Sequence, residues 1–480
     1  MDQLFLFVTL LVSPIAGALI ALLPMDGVET FASLISAGVT VVSALLLLIF
    51  GAAGTFAVFY ADGLTRVMAL TISSVYFTSV AYSTFYVKRI KEPLIRFRWY
   101  YSLLDLFAFT MLLAVTVNDL GFVWIAVEAT TVTSALLVAL EREKTSVEAA
   151  WRYTLIVSAG LVSSLLSVIF IYSSQGTLLI SELEMKPIAS SLLMAVAVGF
   201  ALVGYGTKAG IAPMHTWLPD AHSEAPSPVS AMFSGILLPT SVYALFRIFH
   251  LLHGSIVFDA MRNLMVGFGI FTTLLAAIII GSQRNYKRML AYSSMENMGI
   301  ILVGFALGGL GVIGAIIQIM AHAFAKSSAF YEAGNILVAF NNKNMRAVQG
   351  VINRLRFTGY LFSLSCLSIT GAPPFGVFVG EFLILSQAMS SGNIALALLL
   401  AIAYMYTFIG LNRQSLRMIF GLPNPDSEQG NQSDVLSATT HQRENWLSVA
   451  IPLSNLAISL LIGVYMLPAL IGVTAGFPSP

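Results

Sequence analysis

Four ionisable side chains stand inside long apolar stretches: Glu128 in "GFVWIAVEATTVTSALLVAL", Lys208 in "YGTKAGIAPMHTWLP", Lys326 in "IMAHAFAKSSAFYEAG" and Glu381 in "FVGEFLIL". A charge at the centre of a membrane helix costs upward of ~2.5–3.5 kcal/mol, so such groups mark ion or proton pathways by default. His322 precedes Lys326 by four residues, which puts both on one face of a helix. Desolvation weakens a lysine's hold on its proton and a nearby carboxylate strengthens it. A lysine held between those influences gains and loses a proton as its partner moves, which is the chemistry of a proton relay. Structural ion pairing is the competing account, above all for Glu128 with Lys208, because each partner lowers the other's burial cost. It explains less well a set of acids, lysines and a histidine spread over four helices. Glu332 follows near the end of the His322 helix, and Glu296 and Asp105 lie nearer helix ends.

The elements that must hold these groups follow from composition. The chain has 480 residues, 58% hydrophobic and only 10% charged, against about 25% charged in soluble proteins. Apolar runs recur from end to end, which reads as an all-α polytopic membrane protein. At roughly 20 residues per span they make about fourteen transmembrane helices, among them 120–140, 152–173, 189–212, 228–250, 311–340, 356–390 and 393–412. The stretches 311–340 and 356–390 exceed one straight span, so each is expected to tilt, kink or break. The start "MDQLFLFVTLL" carries an acid and no basic region, and reads as a first membrane helix. The single cysteine, Cys366, excludes an internal disulfide and any cysteine-held cluster within the chain. A net charge of +1 argues against a nucleic-acid partner.

Most of the 24 basic residues fall in alternate loops: "KRIKEPLIRFR", "EREK" with Arg152, "RNYKR", "NNKNMR" to "NRLR", and the loop after the thirteenth helix. The opposite set holds Lys186 and Arg262, with Arg247 near a helix end. Placing the basic loops in the cytoplasm puts both termini outside a multi-pass protein of the cell membrane. The seventh and twelfth helices carry internal breaks, at "GIAPMHTWLP" and "TGAPPFGVFVGEF". An odd offset of five helices reverses their direction, the layout of two inverted five-helix repeats with ion sites at broken helices. Two unrelated proline kinks are the plainer alternative. The divisions are then 1–98 for three N-terminal helices, 99–250 and 251–420 for the repeats, and 421–480 for a polar loop and last helix. His215 and His222, with Asp220 and Glu224 nearby, show no known metal-ligand spacing. They read as loop anchors at the mouth of the broken helix.

The stretches "KAGIAPMHTWLPDAHSEAPSPVSAMFSGILLP", "AHAFAKSSAF" and "GAPPFGVFVGEF" resemble the antiporter-like membrane subunits of respiratory complex I, Mrp cation/proton antiporters and energy-converting membrane hydrogenases. The resemblance covers roughly residues 60–415, and "EAAWRY" looks most like the F-type subunit of hydrogenase-4 and the H-type subunit of archaeal membrane hydrogenases. By that resemblance Glu128, Lys208, His322, Lys326 and Glu381 are the translocation residues of helices 5, 7, 11, 11 and 12. The sequence departs from the pattern at "SGILLPTSVYALFR", where Pro239 stands in place of a lysine of many relatives. Water held by Ser234, Thr240 or Tyr243 would then carry the step between Lys208 and His322. His215, His222 and Glu332 are accessory candidates.

These readings imply a proton- or sodium-translocating subunit of a redox-driven complex. No cofactor or metal is expected in the chain. Iron–sulfur clusters, with a nickel–iron centre or quinone and flavin sites, are expected in partner subunits. Those partners are other antiporter-like subunits, small Mrp-like subunits and a peripheral redox arm, together with lipid and H+ or Na+. Two other functions remain open: a subunit of an Mrp-type antiporter without redox partners, and a structural membrane anchor.

Overall fold

The computed structural model describes residues 3–89, 97–141, 143–185, 192–421 and 444–474. Lys186, part of the first basic loop and most of the polar loop at 422–445 lie outside these residues. Four helices come first: α1 (Gln3–Ala21), α2 (Val28–Phe50), α3 (Gly63–Tyr86) and α4 (Phe97–Thr116). A small antiparallel hairpin, β1 (Gly54–Phe56) with β2 (Phe59–Ala61), joins α2 to α3. Then follow α5 (Leu120–Val138), α6 (Lys144–Gln175), the short α7 (Ile180–Met185), α8 (Leu192–Ala209) and α9 (Leu218–Glu224). A composite helix combines α10 (Ser227–Met232), a π-helical turn (Phe233–Leu237) and α11 (Leu238–His250). The rest is α12 (Phe258–Ile280), α13 (Tyr286–Leu307), α14 (Leu310–Phe340), α15 (Val351–Arg354), α16 (Arg356–Ile369), α17 (Gly376–Ser390), α18 (Ile394–Phe420) and α19 (Trp446–Thr474).

Among the described residues, 13 helices are long and apolar enough to cross a membrane, and α16 and α17 flank a break. Side chains set several of the starts. Asp62 accepts from Thr65 N at 2.7 Å to cap α3, Asp119 caps α5, and Asn285 caps α13 through Lys287 N at 2.9 Å, each satisfying amides that no helical turn can reach. The composite helix is wholly buried and α13 and α14 nearly so, whereas α6, α18 and α19 present large apolar side chains outward. A polar, packed centre inside an apolar perimeter is the arrangement that lipid demands.

Both expected breaks are present and end alike. Gly210 (φ 77°) and Gly371 (φ 68°) follow α8 and α16 in the left-handed region. Ile211 N bonds Gly206 O at 2.8 Å and Gly210 N bonds Thr207 O at 3.2 Å, while Ala372 N bonds Leu367 O at 3.0 Å and Gly371 N bonds Ser368 O at 3.4 Å. These are twin Schellman ends, whose glycines avoid a Cβ clash. Pro213 and Pro374 then occupy matching positions and prevent the helix from resuming.

Some boundaries differ from the hydropathy reading. The helix expected at 152–173 begins at Lys144, and the one expected at 393–412 runs on to Phe420. Their charged ends continue the hydrogen-bonded ladder beyond the apolar band that hydropathy detects. The stretch at 311–340 is one unbroken helix of 31 residues. Its length of about 46 Å exceeds a hydrocarbon core of about 30 Å. The π turn precedes Pro239, whose missing N–H and ring disturb a regular ladder.

Candidate functional site

Lys208 occupies the last turn of α8, where the carbonyl end of the helix favours a cation. It is completely buried. Its ammonium donates to Thr131 Oγ1 at 2.9 Å and to Tyr153 OH at 2.5 Å, and lies 4.9 Å from the Tyr153 ring centre. Tyr153 is also paired with Ser134 at 2.7 Å, and its ring packs against Trp217. Trp217 Nε1 in turn donates to Thr207 O at 2.9 Å, the carbonyl that also accepts from Gly210 N at the break. Close approach of α6 and α8 makes this geometry: a Cβ on Gly204 would lie 2.6 Å from that of Ser164.

Glu128 stands one turn before Thr131 on α5. Ser158 donates to its Oε1 at 2.7 Å, and its Oε2 is buried without a protein partner. Glu128 lies within electrostatic reach of Lys208, but the two make no direct ion pair. Neutral hydroxyls of Thr131 and Tyr153 hold the ammonium instead.

The second cluster centres on Lys326, also completely buried. It donates to Leu290 O at 2.7 Å and to the Ser293 hydroxyl, both on α13. Glu296 is one turn beyond Ser293 and within electrostatic reach of both Lys326 and Glu381. Asn297 Nδ2 donates to Glu296 Oε2 at 2.9 Å, and Gln318 Nε2 donates to Asn297 Oδ1 at 2.6 Å. The Glu381 carboxylate packs against Gly371, at the break itself, where any side chain would collide with it. Aligning the twin breaks on their glycines sets Glu381 opposite Asp220, and Lys208 opposite Ile369. Lys208 and Glu381 therefore lie on opposite sides of their respective breaks in the chain.

Between the clusters lie two histidines. His222 is fully buried rather than a loop anchor at an open mouth: its ring stacks on Phe330 at 5.4 Å and meets Phe233 edge-on at 5.6 Å. His222 and His322 are within electrostatic reach of each other, and their buried ring nitrogens face the Ser230 and Ser234 carbonyls without a well-formed hydrogen bond. Ser234, displayed by the π turn, is paired with Ser294 of α13 at 2.6 Å. Thr240 and Tyr243 are placed elsewhere. Thr240 bonds its own helix at Ile236 O, and Tyr243 donates to Val115 O at 2.9 Å. Glu332 faces α16 and α19, accepting from Ser328 at 3.0 Å and Ser365 at 3.1 Å, with Oε2 unpartnered. His215 is half-buried beside Tyr292.

The neighbours of these histidines, Asp220 and Glu224, form a clamp around α9. Asp220 pairs with Arg288 at 2.8 Å and Arg152 at 3.6 Å, and Glu224 pairs with Lys343 at 3.1 Å. Burial alone would raise the Glu224 carboxyl, but Lys343 holds it below the usual glutamate range. Among the described residues no three His, Cys, Asp or Glu side chains gather as a metal site would require.

Sequence reasoning missed Tyr153 and undervalued Glu296. Tyr153 is the second residue of the stretch expected at 152–173, whereas α6 starts at Lys144 and carries it well inside. Glu296 looked close to a helix end, yet α13 starts at Tyr286 and packs it at the centre.

Residues 117–410 match the transmembrane family described as NADH:quinone oxidoreductase/Mrp antiporter. A hydrogenase-4 component F homolog of Methylacidiphilum infernorum is 32% identical over 385 residues, covering 77% of this chain and 80% of the relative. Hydrogenase-4 component B of Escherichia coli is 27% identical, covering 71% of this chain and 52% of its own. In structure, a chain of the archaeal membrane-bound sulfane sulfur reductase aligns with a TM-score of 0.86 at 21% identity, over 98% of this chain and 96% of that one. A chain of the Mrp complex from Dietzia sp. aligns at 0.84 with 21% identity, over 98% and 95%.

Proposed function

The chain belongs to the NADH:quinone oxidoreductase/Mrp antiporter transmembrane family, and from that premise we propose that it moves protons, or sodium ions, as an antiporter-like subunit of a redox-driven membrane complex. One observation carries this reading. Glu128 lies within electrostatic reach of Lys208; His222, His322, Lys326, Glu296 and Glu381 are each within reach of the next; and buried polar atoms such as Glu128 Oε2 lack a protein partner. Buried polar atoms are satisfied by something, and ordered water is the partner that can also pass a proton. A structural anchor would need none of these groups unsatisfied.

Similarity to a hydrogenase-4 component over 77% of the chain supports redox partners rather than a free-standing Mrp-type antiporter. In this reading the iron–sulfur clusters, and a nickel–iron, quinone or flavin centre, belong to partner subunits. The partners comprise further antiporter-like subunits, small Mrp-like membrane subunits and a peripheral redox arm. The basic loops put the α9 end of the bundle in the cytoplasm and both termini outside. Residues 99–250 and 251–420 form two inverted repeats, a division supported by the twin Schellman breaks. Lys208 loads from the cytoplasm, water near Ser234, His222 and His322 carries the proton on, and Lys326 with Glu296 delivers it to Glu381 for release outside.

The test is Lys208→Ala and Lys326→Ala, each in an assembled complex reconstituted into sealed vesicles. Electron transfer should persist while the ion gradient falls at least tenfold, taking loss of an essential proton carrier at ~10²–10⁴-fold for its step. A normal gradient in both variants would sink the proposal.

A further inference from the structure

Among the basic residues at the α9 end of the bundle, two groups contrast. Arg152, Arg288 and Lys343 are paired with Asp220 or Glu224. Arg284, Arg346, Arg413 and Arg417 form no ion pair with any described residue. These four instead line one cavity of about 840 Å³ between the end of α12, the segment after α14 and the last turns of α18, and among the described residues no acid lines it. The volume falls within the range of small-molecule sites, about 300–1,000 Å³. Arg413 and Arg417 share a face of α18. The walls are held in register by Gln414, whose amide donates to Ile280 O at 3.0 Å and Gly281 O at 2.6 Å.

One wall is apolar and continues out of the cavity. Ile409 lines it and is 55% exposed, and Tyr406, Met405 and Ile402 extend that exposed face along α18. Unpaired guanidinium groups at a bilayer boundary, beside an apolar track, match one ligand chemistry: a phosphate attached to acyl chains. Guanidinium groups bind phosphate oxygens through paired, charge-assisted hydrogen bonds, and basic pockets between transmembrane helices seat anionic lipid headgroups. We propose that this cavity holds the headgroup of an anionic phospholipid, with its chains lying along α18. A free phosphate would satisfy the arginines but leave the apolar track unused, and an acidic protein segment would likewise make no use of it.

Native mass spectrometry of the full chain, released from nanodiscs of mixed phosphatidylglycerol and phosphatidylcholine, tests this. Phosphatidylglycerol should be retained at least tenfold over phosphatidylcholine. The R413Q/R417Q double variant should lose about tenfold of that preference, the scale of one charge-assisted hydrogen bond, whereas R262Q at the opposite end should keep it. Equal retention of the two lipids, or an unchanged preference in the double variant, would overturn the proposal. Displacement of the lipid by inorganic phosphate at matched concentration would reassign the site to a soluble anion. Phosphatidylglycerol binding that emerges only when Asp426, Glu428 and Asp434 are neutralised would show that the chain's own loop fills the cavity, and would equally end it.

Discussion

Lys208 is held by hydroxyls rather than by a carboxylate, and that choice determines how it can work. A direct ion pair in a dry interior would fix the proton on the lysine, whereas hydrogen bonds to neutral oxygens leave it releasable. In the proposed relay the Tyr153 hydroxyl is thus a positioning group. Tyr153→Phe keeps the ring against Trp217 and removes one of the two ammonium partners. Pumping in sealed vesicles should slow by roughly tenfold, the effect of one such bond, with normal assembly; an unaltered rate would leave Thr131 as sole holder. Glu381→Gln separates release from mere packing at the break. Glutamine retains hydrogen-bonding capacity without a titratable charge, so a relay loses its gradient while electron transfer components stay intact. A full gradient in this variant would remove Glu381 from the pathway. Lys208, His322, Lys326 and Glu381 were legible because charge in an apolar run is conspicuous. Tyr153 was not, since a tyrosine beside Trp151 and Arg152 looks the same at an interface as three turns inside.

At the scale of elements, two clamps organise the bundle's opposite ends. Arg247 of α11 is buried and pairs with Asp62 at 2.6 Å and Glu184 at 3.4 Å, and Tyr60 of β2 donates to Glu184. Asp62 also caps α3, so one carboxylate fixes both a helix start and a crossing. Arg247→Met leaves that charge uncompensated, and thermal unfolding in detergent should register a loss of about 3–5 kcal/mol. A shift no larger than that of an exposed control such as Arg262→Met would mean the clamp is incidental. Around α9, the Glu224 carboxyl is held below its ordinary value by Lys343. A lowered folded value means that its stabilisation is present above the unfolded value near ~4.3 and disappears as pH falls through the folded value. Glu224→Gln should therefore lower stability at pH 7 by about 0.5–1 kcal/mol and converge with the parent below pH 4 in acid titrations. The breaks were readable from Gly210–Pro213 and Gly371–Pro374, because glycine and proline act on the backbone directly. The β-hairpin and the π turn were not, because each depends on the register with neighbouring helices.

Across the whole molecule, the proposed pathway joins the two lysine clusters in one file, and a file imposes an order. Steps in series share a single flux, so crippling one leaves little for a second lesion to remove. The K208A/K326A double variant should pump no worse than the weaker single, as expected for residues acting as a unit. Losses that multiply would indicate two independent routes, one per cluster. Helix number and the apolar perimeter were apparent from hydropathy, since lipid rewards a signal that runs for some twenty residues. The central arrangement was not, because α10–α11, α13 and α14 are buried on nearly every side, and periodicity gives no direction to a helix without a wet face.

The twin glycine–proline ends of α8 and α16 have a consequence for descent. They are written in backbone geometry, while the groups beside them, Lys208 in one case and Glu381 in the other, are written in side chains. Mutation can therefore exchange the ionisable group without disturbing the interruption that makes room for it. A saturation library should sort accordingly. Gly210, Gly371 and the prolines after them would tolerate almost nothing, while the neighbouring ionisable positions would admit replacements that alter the transported ion before they alter folding. Such a scaffold can pass between complexes with different energy sources, carrying its interruptions unchanged and adopting a new cargo at the cost of a single codon.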